Sequence, residues 1–372
     1  MKMIYDSSVY VHIPFCERKC GYCSFYSAPS DEKTRTAYAK ALCRSIETYR
    51  TMHLECPSVY FGGGTPTVME NESLISVLSK IKNVFELDDD TEITIEANPK
   101  TVDIRKLTEL REAGFNRISF GVQSLIDEEL AALGRIHTAE DALAAVNDAL
   151  KAGFDNISCD MMIGIPKQST GSMLYTADRL SELPISHISA YMLSVESGTP
   201  FYEMGVDTDD DVQANMYLDL CERLAENGFE HYEISNFARD GRVSKHNTRY
   251  WKREYYLGFG ASAHSFFDHE RRSCDDDTQQ YIMRQTQQDT VNEVFPDELE
   301  EYIMLGLRLS EGILFNGLRM YGASEETVSE IRKKAEELAG YGLCRVTEKN
   351  ISLTDSGFLG SNAVIGEFLN LC

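Results

Sequence analysis

Short apolar runs alternate with amphipathic stretches along the first half of the chain. Apolar runs predict strands at residues 9–13, 58–61, 92–96, 117–121, 156–162 and 187–193. Between them apolar residues recur at helical spacing. Tyr38, Leu42, Ile46 and Tyr49 mark a helix over 32–52, and Leu74, Ile75, Leu78 and Ile81 mark one over 72–85. Further helices are predicted over 103–113, stopped by Gly114, over 139–152, stopped by Gly153, and over 172–183. Strand and helix taking turns at short connections is the pattern of a parallel α/β sheet. The chemically unusual residues all fall at or just past the C-terminal end of a strand. A three-cysteine loop follows the first strand and Gly62-Gly63-Gly64-Thr65-Pro66 the second; Glu96 ends the third, Gln123 follows the fourth, and Asp160 lies near the end of the fifth. That edge carries the sites of barrels and open α/β sheets. The reading is a partial (β/α)6 barrel.

The second half has a different rhythm. A helix over 207–228 begins at Asp209-Asp210-Asp211, acid that suits a helix N-terminus, and a strand follows over 229–234. Next comes His246-Asn247-x-x-Tyr250-Trp251, which holds the only tryptophan, and then the glycine-bearing stretch from Leu257 to His264. Beyond it the pattern gives helices over 296–309 and 325–339, a hairpin at 343–346 and 351–353, and a last helix over 359–371. Helices followed by a β wing predict a small winged-helix-like domain. The expected boundary lies near 289–295, dividing the chain into 1–289 and 290–372.

Cys16, Cys20 and Cys23 stand at C-x3-C-x2-C on one short loop. Three thiolates can hold three irons of a [4Fe–4S] cluster and leave the fourth open for another ligand. A closed zinc site would need a fourth Cys or His. His12 is the nearest candidate, and the strand over 9–13 would hold it away from the loop. The glycine turn can let backbone approach a ligand, or can serve the turn alone. Glu96 can accept from a ribose diol, or can be a solvated strand end. Gln123, Arg135 and Asp160 form a second polar set. His246 can ligate haem iron beside flat rings, or can be a core histidine satisfied by its neighbours. His264 can line a pocket mouth or cap a turn.

Composition narrows the partners. The chain of 372 residues is 42% hydrophobic, enough for a sizeable core, and carries a net charge of −24. The basic footprint of a nucleic-acid binder is missing, so the C-terminal unit is expected to be a lid or docking module rather than a DNA reader. The ten cysteines are one cluster and seven scattered residues, which fits reduced thiols better than a disulfide scaffold. No apolar leader and no long apolar run are present, which leads to the expectation of a cytoplasmic protein.

The cysteine loop and its lead-in, Tyr10-x-His12-Ile13-Pro14-Phe15-Cys16, resemble the radical S-adenosylmethionine (SAM) superfamily, in the branch of oxygen-independent coproporphyrinogen III oxidase and its haem-chaperone relatives. Leu133-Gly134-Arg135-Ile136-His137 and Leu307-Arg308-Leu309-x-x-Gly312-Ile313 carry the likeness along the chain. The resemblance implies that SAM chelates the open iron. It implies that Gly63, Gly64 and Thr65 hold the methionine end of SAM, and Glu96 its ribose. Tyr10 and Tyr22 match aromatic contacts of two nucleosides, Gln123, Arg135 and Asp160 match contacts of a second SAM, and Ser194 matches a backbone-level contact. The stretch ending at His264 is placed at the SAM site, and His246 is implicated in haem binding.

Two functions follow from this resemblance. One is a haem chaperone that delivers haem to recipient haemoproteins. The other is SAM-radical decarboxylation of coproporphyrinogen propionates. The oxidases carry a fourth cysteine two residues after the third, where this chain has Phe25, and an N-terminal extension, where this sequence has only Met1–Ser8. Both departures and the histidine motif favour the chaperone. A cellular electron donor is implied, no nucleic acid is expected, and peripheral membrane association and a homodimer are left open.

Overall fold

The computed structural model describes residues 6–372. Residues 1–5, part of the segment read as lacking an apolar leader, lie outside the described residues. Six parallel strands stand side by side in chain order: β1 (Ser8–Ile13), β2 (Ser58–Gly63), β3 (Glu92–Ala97), β4 (Arg117–Gln123), β5 (Asn156–Ile163) and β6 (His187–Met192). The sheet continues past β6 through an antiparallel pair, β7 (Glu230–Glu233) and β8 (Asn236–Ala238). On the other flank β9 (Tyr256–Phe259) pairs parallel to β1 and is extended by the antiparallel β10 (His264–Phe267), β11 (Glu270–Cys274) and β12 (Asp289–Val294). The predicted partial (β/α)6 barrel is therefore present, widened at both edges.

The period of two along each strand divides the residues cleanly. Val9, Val11, Ile13, Val59, Phe61, Ile93, Ile95, Ile118, Phe120, Ile157, Cys159 and Met161 are buried in one continuous core under the helices. The alternate positions, Tyr60, Glu96, Ser119, Asp160, Ser189 and Tyr191 among them, form a polar lumen. At its floor Arg117 is 2% exposed, with Glu92, Tyr60, Tyr232 and Asp160 as its electrostatic surroundings. A buried charge needs such company.

Outside the sheet lie α1 (Glu32–Glu47), α2 (Asn71–Val84), α3 (Ile104–Ala113), α4 (Asp127–Leu133), α5 (Ala139–Lys151) and α6 (Thr170–Ser181). Their ends follow from local chemistry. Asp31 caps α1, Thr138 and Asp141 form a capping box on α5, and Gly114 ends α3 in the left-handed region. The helix expected to reach residue 52 stops at Glu47. The short α4, whose first turn is all acid, and the helix Lys245–Trp251 escape the periodicity because seven residues, two turns, are too few to repeat an apolar stripe.

The C-terminal unit runs helix, strand, two helices, then a wing. Helices Glu298–Gly306, Phe315–Met320 and Glu325–Gly340 surround a sheet of β13 (Ile313–Leu314), β14 (Cys344–Val346) and β15 (Asn350–Leu353) in the order β13-β15-β14. The predicted last helix is two, Asp355–Leu359 and Ser361–Leu369, broken at Gly360. β12 belongs to the large sheet, which ends at Val294. Among the described residues no helix is long and apolar enough to cross a membrane.

Candidate functional site

The loop after β1 is pinned at its base, where the Cys16 N–H donates to the Ala28 carbonyl at 3.2 Å and the Ala28 N–H to the Pro14 carbonyl at 3.0 Å. Cys16, Cys20 and Cys23 are unpaired thiols on this loop, half-buried, and line one cavity of about 440 Å³ at the C-terminal edge of the strands. Burial raises the Cys23 thiol. The Cys16 sulfur lies 3.6 Å from the Thr65 hydroxyl, and the Arg135 guanidinium donates to the Cys20 sulfur at 3.6 Å. No histidine and no fourth cysteine lines this cavity among the described residues. His12 is engaged elsewhere: its Nδ1 sits 3.1 Å from the Tyr10 hydroxyl and its Nε2 3.2 Å from the Tyr26 carbonyl. The donor set is thus three sulfurs without a fourth, which fits an open cluster and not a closed zinc site.

The same cavity gathers Tyr22, Gly63, Gly64, Thr65, Glu96, Gln123, Arg135, Asp160 and Ser194. Glu96 accepts from the Tyr60 hydroxyl at 2.7 Å. Burial, reinforced by the nearby Asp160 charge, pushes its pKa up to about 7. Asp160 accepts from Ser119 at 3.1 Å and is also raised, chiefly by burial. Gln123 holds a left-handed backbone, φ 68°, where the register between β4 and β5 slips. Sparse conformations of this kind cluster at sites. Arg135 bonds the Gly121 carbonyl and leaves its buried Nε with no partner among the described residues, an unmet donor suited to an anionic ligand group. Ser194 spends its hydroxyl on Glu196 at 2.7 Å.

The glycines have a demand of their own. A Cβ on Gly62 would meet the Tyr60 ring at 2.8 Å, one on Gly63 the His12 ring at 2.6 Å, and one on Gly64 the Phe15 carbonyl oxygen at 2.6 Å. Gly64 is required by the start of the cysteine loop, and Gly62 and Gly63 by rings on β2 and β1, whether or not a ligand approaches.

Three expected site residues lie elsewhere. Tyr10 and His264 line a second cavity of about 470 Å³. His246 lines neither cavity. It is 1% exposed, its Nδ1 is 2.9 Å from Ser58 Oγ and its Nε2 2.8 Å from the Tyr250 hydroxyl, and burial lowers its pKa to about 3. In this structure it has the environment of a satisfied core histidine. Sequence reasoning missed Tyr60 and Ser119, which hold the two carboxylates. Their inward register on β2 and β4 was the signal that could have found them.

The family model for the radical SAM superfamily matches residues 10–180, and that for the HemN C-terminal domain matches 296–359. The heme chaperone HemW of Bacillus subtilis is 34% identical over 97% of this chain and 99% of its own length. The chain belongs to the HemW branch of the radical SAM superfamily. HemW of Lactococcus lactis is 31% identical over 98% of this chain and 97% of its own. The mitochondrial radical S-adenosyl methionine domain-containing protein 1 of Bos taurus is 33% identical over 94% and 86%. Among solved structures, the coproporphyrinogen III oxidase HemN of Escherichia coli superposes with a TM-score of 0.84 at 22% identity, covering 98% of this chain and 90% of that one. That likeness establishes a shared fold. Membership of the superfamily implies a [4Fe–4S] cluster and SAM, and the three sulfurs, the unmet Arg135 donor and the paired carboxylates fit both.

Proposed function

We propose that this protein binds haem and delivers it to recipient haemoproteins, while retaining a [4Fe–4S] cluster and a SAM site. The near end-to-end likeness to HemW heme chaperones carries the reading. Cys16, Cys20 and Cys23 hold the cluster with one iron open. Gly63, Gly64 and Thr65 line the methionine end of SAM, and Glu96 accepts from its ribose. Gln123, Arg135, Asp160, Tyr22 and Ser194 supply contacts for a second SAM or for the far side of the first. A reduced cluster, charged by a cellular electron donor, supplies one-electron chemistry toward SAM when both are bound. Phe25 supports the chaperone against the oxidase: it is 66% exposed and lines both cavities, where the oxidases have a cysteine.

Two imidazoles are put forward for the haem iron. His264 is exposed at the second cavity. His246 lies one hydrogen bond behind Tyr250 and reaches iron only when Tyr250 gives up that bond. Only a neutral imidazole ligates iron, and burial keeps His246 neutral. The test is a haem titration of the reconstituted protein, read by the Soret band. Saturable binding with a Soret shift in His246→Ala or His264→Ala, at unchanged iron–sulfur content, supports the reading. Absence of saturable haem binding by the wild type contradicts it.

A further inference from the structure

The second cavity is walled by aromatic rings. Tyr10, Tyr250, Tyr256 and Phe266 line it, with Tyr250 and Tyr256 packed edge to face at 4.5 Å between centroids. Two cations stand on one side. Arg271 lies over the Phe266 ring at 4.6 Å and Arg253 at 5.3 Å. Both guanidiniums share a single buried carboxylate, Glu301, which is 6% exposed. Their other acidic partners, Glu298 at 3.0 Å and Glu293 at 3.7 Å, are exposed and screened by water. One buried negative charge therefore faces two positive ones. Moreover, the buried Nη2 of Arg253 has no partner among the described residues. Buried donors are rarely left so, and a guanidinium fork is matched by a carboxylate. Flat rings, the side chains of Arg253 and Arg271 and an exposed imidazole at His264 line this one cavity.

We propose that this cavity is the seat of a planar macrocycle bearing carboxylates: the porphyrin ring packs against the tyrosines and Phe266, and its propionates pair with Arg253 and Arg271. The inference rests on the haem reading and deepens it by giving the site and its anchors. Offset aromatic packing gives the ring its area. The arginines select the acid over its ester. Because Phe25 lines this cavity and the cluster cavity alike, it forms their common wall. Glu301, which holds both arginines, lies on a C-terminal helix, so the anchors are set by that unit.

The experiment compares haemin, metal-free protoporphyrin IX and protoporphyrin IX dimethyl ester on the full chain by absorption titration. Metal-free porphyrin separates the pocket from the iron ligand. The wild type is expected to bind the free acid at least tenfold more tightly than the dimethyl ester. Arg271→Gln should erase most of that preference without changing iron and sulfide content. Leu305→Trp, which fills the cavity, should weaken acid and ester alike. Arg253→Gln is a weaker probe because Arg253 also latches two glutamates, so Arg271→Gln and Leu305→Trp carry the test. Equal affinity for acid and ester, or wild-type binding in a folded Leu305→Trp protein, overturns the inference. Tight haem binding untouched by both substitutions moves the site elsewhere and leaves the haem function standing. Binding of protoporphyrin without haem keeps the pocket and removes the function.

Discussion

Glu96 shows how a single side chain reports the chemistry of the lumen. Its pKa of about 7 against an ordinary 4.5 means that the fold favours the protonated form. The stability from neutral Glu96 is fully present below the unfolded value and is lost as pH rises through about 7. In the ligand-free protein, Glu96→Gln is therefore expected to gain stability relative to wild type between about pH 5 and 8. Thermal melts at both ends check this, and parallel pH profiles would contradict it. A ribose diol donating to the carboxylate favours ionisation, so SAM affinity should rise across the same range in wild type and stay flat in Glu96→Gln. At the cluster, Cys16→Ala, Cys20→Ala and Cys23→Ala should each lose iron after anaerobic reconstitution, whereas Cys159→Ala, a buried core thiol, should keep it. The cysteines, Glu96, Gln123 and Asp160 were legible because their residue types stand out at strand ends. Arg253 and Arg271 were not. They share the Glu301 carboxylate, thirty and more residues away in sequence, and the Phe266 ring.

The turn after β2 couples the elements of the site. Gly64 donates to the Ile13 carbonyl at 2.8 Å and Thr65 to the Phe15 carbonyl at 2.7 Å, so the glycine turn is stitched to the start of the cysteine loop. A side chain on Gly64 strikes backbone. Gly64→Val should thus lower the melting temperature and the iron content together, rather than SAM affinity alone. Iron content at the wild-type level in that variant would contradict the stitching. The helix Lys245–Trp251 places His246 at the lumen floor, bonded to two buried hydroxyls. His246→Ala takes the Tyr250 hydroxyl's partner away, while Ser58 keeps its bond to Ser8 at 2.7 Å, and should cost about 1–3 kcal/mol in chemical denaturation. The βα order was readable because each strand and helix repeats its own period. This helix was not, being only seven residues long, and β11 and β12 were not, since ERRSC and DTVNEV are mostly polar and show no apolar alternation.

At the scale of the molecule, the C-terminal unit is latched to the barrel. Glu301 pairs with Arg253 and Arg271, the Ile234 N–H donates to the Arg308 carbonyl at 2.9 Å, and His231 Nδ1 meets Asp355 at 2.8 Å. Removing one member of a buried ion cluster costs about 3–5 kcal/mol. Glu301→Ala should accordingly destabilise the chain by that order and speed proteolysis of the segment from 284 to 297. The winged shape of this unit was legible from its helices and hairpin, but its role as the holder of two arginines was not, because ion pairs leave no periodic trace. Function at this scale turns on what becomes of a porphyrinogen. The most direct measurement is an anaerobic incubation of reconstituted protein with coproporphyrinogen III, SAM and a reductant, resolved by chromatography, beside a haem-uptake titration of the same preparation. Stoichiometric haem uptake and unchanged coproporphyrinogen are expected. Formation of protoporphyrinogen IX would contradict this and make the protein an oxidase.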